Sequence, residues 1–280
     1  MRSLPKAIGS LIALAMMTIA ASSSQQKVDV STRAVVAAAT KYVVDYETKF
    51  KFVIADETYT QALYDRDRQQ TGARRMKGEL FLTFIPADAA WLAVHDFAEV
   101  DGTAVPDRED LRLLLQKGET LSVVRTVLGR NARFNLGTIV RNFNEPTLAL
   151  LMLEPKRVNS VSFNREEVQR IGGRTLVRLS FRERERPSLV RTDRGRPVFA
   201  RGEFTIDAET GRVERSVIEF VDGAILARLT TTYALDEKVE MWVPVAFAER
   251  YERTNNDREL ILCEADYTNY RRFEVTARIK

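Results

Sequence analysis

The sequence predicts an α+β domain built on a large, strongly curved antiparallel sheet with helices on its concave face. The first observation behind this is alternation. Thr175, Val177, Leu179 and Phe181 interleave with Arg174, Arg178, Ser180 and Arg182, the period of two expected of a half-buried strand. The same pattern returns in Ile225, Ala227, Leu229, Thr231 and Tyr233, in Met241, Val243, Val245 and Phe247, and in Phe273, Val275, Ala277 and Ile279. The second is turn chemistry between such runs. Asp207-Ala208-Glu209-Thr210-Gly211 joins the two halves of a hairpin spanning Pro197 to Val221, with Asp placed to close a side-chain turn and Gly to take positive φ. The third is that helical spacing occurs near 32–50 and 107–133 only. Strands with one apolar and one wet face need a cover on one side, and those two helices are the natural cover.

Taken in order, residues 1–21 read as a signal peptide. Arg2 and Lys6 precede an uncharged apolar run from Ala7 to Ala21, followed by small residues, the pattern of an export signal too short to serve as a spanning helix. The expected location is therefore the periplasm or the extracellular space. Residues 22–30 form a polar spacer, and 31–280 read as a single domain with a helical insertion near 107–133. Ser31 or Thr32 caps a helix running to about Phe50, with Val35, Ala38, Tyr42, Tyr46 and Phe50 as its apolar stripe. Strands follow at 51–64, 76–85 and 90–100, with 65–75 as a loop or hairpin tip and Asp101-Gly102 as a turn. Thr147 to Leu153 reads equally as a short helix or a buried strand.

Composition and motifs exclude several chemistries. Lys and Arg number 43 against 39 Asp and Glu, and loss of Arg2 and Lys6 with the signal leaves +2, so nucleic acid is not an expected partner. His95 is the one histidine; with Glu99 and Asp101 it forms at most a weak partial ligand set, outweighed by the reading of a solvated strand face. Cys263 lies in an apolar run, where a buried inert thiol is expected. Phosphate-binding and dinucleotide signatures are absent, and no metal or cofactor is implied. Seven arginines at 182, 184, 186, 191, 194, 196 and 201 are interrupted by Glu183, Glu185 and Asp193, which favours a solvated hairpin over an anion site. Trp91, Phe204, Ile206, Tyr233, Trp242 and Phe247 are the candidate ligand-binding residues, on strands able to curve around an apolar space.

The hairpin Phe204-Thr205-Ile206-Asp207 with Thr210-Gly211-Arg212-Val213 has the form F-x-I-D-x-x-T-G-x-V, and a later strand reads Trp242-Val243-Pro244-Val245-Ala246-Phe247. With the order of elements, these resemble the outer-membrane lipoprotein-sorting (LolA/LolB-like) superfamily. The stretches at 96–110, 132–150 and 265–275 also resemble an uncharacterised family of exported bacterial proteins, many from Acidobacteria. The superfamily resemblance implies an incomplete β-barrel wrapped around helices, and a non-catalytic carrier of a hydrophobic or acyl-chain ligand, lipid or lipoprotein. The alternative expectation is an envelope scaffold with a filled core that binds another protein.

Overall fold

A computed structural model describes residues 28–50, 52–86, 88, 90–106, 108, 111, 131–139, 141, 144–192, 194–255 and 258–273. The expected signal peptide, most of the 107–133 insertion and the alternation at 275–279 lie outside the described residues.

The helix α1 spans Thr32–Lys49, and the Ser31 hydroxyl accepts from the Ala34 amide at 3.3 Å as its N-cap. Its buried face is Val35, Ala39, Val43 and Tyr46, continued by Phe50. The expected stripe through Ala38 and Tyr42 is thus displaced by one residue in the middle of the helix, leaving both half-buried at its margin.

Among the described residues, eleven strands form one antiparallel sheet. In chain order its long members are β1 (Val53–Tyr64), β2 (Gln70–Ile85), β3 (Ala90–Val100), β5 (Val161–Ile171), β6 (Arg174–Glu183), β9 (Arg201–Asp207), β10 (Val213–Asp222), β11 (Ile225–Asp236), β12 (Met241–Arg253) and β13 (Leu260–Arg272), with β4 (Thr103–Ala104) at one edge. The strand order is β4-β3-β2-β1-β13-β12-β11-β10-β9-β6-β5. The sheet is therefore an unclosed barrel made of two meanders, joined where β1 pairs with β13.

Two boundaries differ from expectation. The stretch 65–75 is the tip of the β1–β2 hairpin, shorter than expected: the Asp65 carboxylate accepts from the Asp67 and Gln69 amides at 2.9 and 3.0 Å in a tight turn, and β2 starts at Gln70. In the hairpin, Pro197-Val198 (β8) leaves the main sheet to pair with Val190-Arg191 (β7) in a small second sheet. The turn itself is as expected. Asp207 Oδ1 accepts from the Glu209 and Thr210 amides, and Gly211 has φ +74°.

One continuous core joins α1 to the concave face of the sheet. Leu148–Leu153 is a 3₁₀ segment with all six side chains buried, wedged between α1 and β10. That resolves the ambiguity at 147–153: a run apolar at every position suits a segment surrounded on all sides. The insertion departs from its expected place at its start. Leu111 packs with Ile54, Phe81 and Val94 on the opposite, convex face of the sheet, and Arg108 pairs with the buried Asp96 at 2.7 Å. Phe134, Leu136, Arg141 and Pro146 lie against residues of the concave face, hydrogen-bonded to Gln61, Thr231 and Tyr233.

Candidate functional site

The concave interior holds two features, a mouth beside α1 and a buried polar cluster. Five of the six candidate ligand-binding residues, Trp91, Phe204, Ile206, Tyr233 and Phe247, are buried in the core. Trp91 packs edge-on against Phe50 with ring centroids 5.5 Å apart, and against Tyr46 of α1 at 5.7 Å. Phe204 stacks on Phe181 at 4.8 Å, and the Tyr233 hydroxyl donates to the Pro146 carbonyl at 3.0 Å.

Trp242 sits apart from the other five, half-buried at the mouth. There it lines a depression of about 240 Å³ with Tyr42, Asp45, Tyr46, Lys49, Thr210, Arg212, Glu240 and Met241. The Arg212 guanidinium lies 4.0 Å over its ring and donates to Asp207 and Glu214. Tyr46 connects the mouth to the interior, since it lines the depression while its ring belongs to the core. Its hydroxyl and the Trp91 indole nitrogen are buried with no hydrogen-bond partner among the described residues. A buried donor left unmatched costs about 1–3 kcal/mol, so α1 is seated at less than full advantage here.

The polar cluster lies farther along the concave face. Glu57, Tyr59 and Gln61 alternate inward on β1, and His95, Glu249 with Tyr251, and Cys263 face them from β3, β12 and β13. Both Glu57 carboxylate oxygens lie 2.8 Å from His95 Nδ1, and the Asn144 carbonyl lies 3.3 Å from Nε2. With an acceptor on each ring nitrogen, only the imidazolium satisfies both contacts. Burial works against that cation, but the charge and hydrogen bond of Glu57, with Glu249 and the Asn144 carbonyl, outweigh it and raise the His95 pKa.

Tyr59 donates to Glu249 at 2.7 Å, and Tyr251 donates to its other oxygen. Burial still raises the Glu249 pKa, the two hydroxyls, Arg141 and His95 offsetting only part of the effect. Glu145 is pushed up to about 7, also by burial, with His95 opposing. Arg141 donates to Gln61 and the Leu136 carbonyl at 2.9 and 3.1 Å, and to the Cys263 sulfur at 3.1 Å. The Cys263 thiol is pushed up to about 12 by burial and by Glu249, an inert buried thiol as expected.

These contacts correct the reading of His95. It is not on a solvated face, and Glu99 and Asp101 are not its neighbours; they pair with Lys77 and Arg74. His95 follows the phase of Trp91, Ala93 and Phe97 onto the covered face, and a register shift between Lys77 and Gly78 opposite β3 changes the phase of the strand after Phe97, which turns Glu99 and Asp101 away. Gly78 stands between Glu57 and β3, paired with Glu57 on one side and Phe97 on the other. A Cβ there would meet the Phe97 Cα at 2.7 Å. The bare backbone at Gly78 leaves the concave face open for Glu57 and His95 to meet across β2.

Chemically, the cluster fastens the 131–147 segment to the sheet. Gln61 binds the Leu136 amide and the Phe134 carbonyl, Asn131 donates to the His95 carbonyl, and Thr231 joins Tyr233 on the Pro146 carbonyl. Among the described residues no group of His, Cys, Asp and Glu is placed to hold a metal ion. No helix among them is long and apolar enough to cross a membrane.

No protein-family model matches the chain, and no curated protein matches it. Solved structures do. A domain from Vibrio parahaemolyticus described as of outer membrane lipoprotein-sorting type is 15% identical, with a TM-score of 0.36 over 87% of this chain and 93% of the other. A DUF1329 family protein from Desulfovibrio piger is 11% identical, with a TM-score of 0.39 over 88% and 94%. A phycobiliprotein lyase from Guillardia theta is 8% identical, with a TM-score of 0.27 over 81% and 92%.

Proposed function

We propose that this is an exported, non-catalytic binding protein for a hydrophobic or acyl-chain ligand, lipid or lipoprotein, of the cell envelope. The observation that carries the reading is the mouth, where an aromatic rim, with Lys49 and Arg212 set against Asp45 and Glu240, adjoins the apolar core beneath α1 through Tyr46. Its volume of about 240 Å³ is below the roughly 300 Å³ at which small-molecule sites begin. A chain-like ligand would enter by lifting α1, whose unmatched Tyr46 hydroxyl and Trp91 partner favour that movement. Trp91, Phe204, Ile206, Tyr233 and Phe247 would then line the space vacated, with Trp242 at the entrance.

A second reading has its own support. Phe50, Met152, Leu153, Phe204 and Phe247 leave no exposed surface in the interior, as expected of a scaffold whose filled core never opens and whose outer face binds an envelope protein. Titration with the fluorescent apolar probe N-phenyl-1-naphthylamine, with oleate as competitor, separates the two. The carrier reading expects saturable, oleate-displaceable binding, weakened at least threefold in Trp242→Ala. Absence of probe binding, together with native mass spectra free of lipid, would overturn it.

A further inference from the structure

The excursion between β6 and β9 carries a surface that interior binding does not use. In the sequence its seven arginines alternate with acids; in the fold they are separated from them. Glu183 turns inward, where its two oxygens accept from the Leu189 and Ala200 amides at 2.8 and 3.0 Å. It fastens both ends of the excursion and leaves the surface without its charge. Glu219 is shared by Arg201 and Arg228 at 2.9 and 3.0 Å, and Asp222 pairs with Arg196.

Arg182, Arg184, Arg186, Arg191 and Arg194 are exposed and make no ion pair among the described residues. Glu185 is the exposed acid among them, and Asp193 lies outside the described residues. Next to Arg182 stand two apolar side chains in water, Phe199 at 40% and Val221 at 50% exposure. They share with Arg182, Glu183, Ala200 and the Arg201–Glu219 pair a shallow depression of about 250 Å³. The surface is firmly built. Val190 pairs with Val198, Val198 and Ala200 are buried, and the Arg184 amide donates to the Ser160 carbonyl at 2.9 Å.

We propose that this face docks on the surface of an anionic phospholipid bilayer. Guanidinium forks match headgroup phosphates, and a local excess of arginine is drawn to a negatively charged leaflet. An exposed Phe and Val at the same place supply what a purely electrostatic partner would not need, apolar side chains that seat at the level of the acyl boundary. A nucleic acid would engage the charge and leave Phe199 in water. The inference stands whether or not the interior takes a ligand.

Cosedimentation of the purified protein with vesicles tests it, comparing half phosphatidylglycerol, half phosphatidylcholine with phosphatidylcholine alone. Binding is expected on the anionic vesicles only, and weaker at high salt. Each arginine near the surface contributes about fivefold, so R184Q/R186Q/R191Q should bind roughly a hundredfold more weakly, with an unchanged melting curve. Phe199→Ser should remove the part of the binding that resists salt. Equal binding to both vesicles, or a triple variant that binds like the parent, would overturn the proposal. So would retention on heparin or DNA without any retention on vesicles.

Discussion

Glu57→Ala is expected to destabilise the protein by about 3–5 kcal/mol, because it leaves the His95 cation buried without its counter-ion. For a domain of this size that is a fall of roughly 10 °C in Tm, read by a circular dichroism melt. The double variant Glu57→Ala/His95→Leu should recover much of the loss, since removal of both charges leaves nothing unmatched. A double variant no better than the single one would mean that the pair fills space and that its charges contribute nothing. The same groups set the pH dependence. The raised pKa of His95 stabilises the fold fully below its unfolded value near 6.5, and that contribution is lost as pH rises through the folded value. Glu47 and Glu145, both pushed up to about 7, hold protons in the folded state that the unfolded chain releases near 4.5. Their contribution is likewise lost as pH rises. Carboxylates with lowered pKa, such as Glu252 hydrogen-bonded to Arg68, act in the opposite sense, and only on the acid side of the ordinary Glu value. Melting temperature should therefore decline between about pH 5 and pH 8, and His95→Gln should flatten the upper part of that slope. A flat profile would contradict the buried cation.

Gly211→Ala should cost about 3 kcal/mol from two separate causes, each worth roughly 1–3 kcal/mol. Its φ of +74° is strained for any L side chain. Its Cβ would also collide with the carbonyl of Ala38 in α1, backbone against backbone. Gly172 is the control: it too has positive φ, at +58°, but a Cβ there meets nothing. Gly172→Ala should show the conformational cost alone, so the difference between the two melts measures how closely the hairpin turn clamps α1. Equal losses would remove α1 from the account.

The strands were legible because their cause is local. Alternation along β6, β11 and β12 follows from one face being covered, and the Asp207–Gly211 turn announces itself in its own residues. Of the two caps the sequence offers for α1, Ser31 and Thr32, the fold uses Ser31. The polar cluster was not legible. Glu57 and His95 lie 38 residues apart on strands that are not neighbours, and the register shift after Phe97 takes Glu99 and Asp101 out of the pattern of two that they share with His95 in the sequence. The rim was half legible: Trp242 was singled out as an aromatic on a curved strand, whereas Tyr42, Tyr46 and Arg212 needed α1 and the turn to be placed together. The arrangement of the arginines was not legible either, since the inward turn of Glu183, held by the Leu189 and Ala200 amides, leaves no local pattern.

The seam between β1 and β13 also orders events in time. It pairs Thr60 with Glu264, more than 200 residues along the chain, and contacts that distant make for slow folding. During synthesis the first meander, β1 to β4, would stand with the edge of β1 open until β13 emerges. Such an edge is a template for strand pairing with other chains. The N-terminal third of this protein thus depends on β13 for protection of its open edge against self-association.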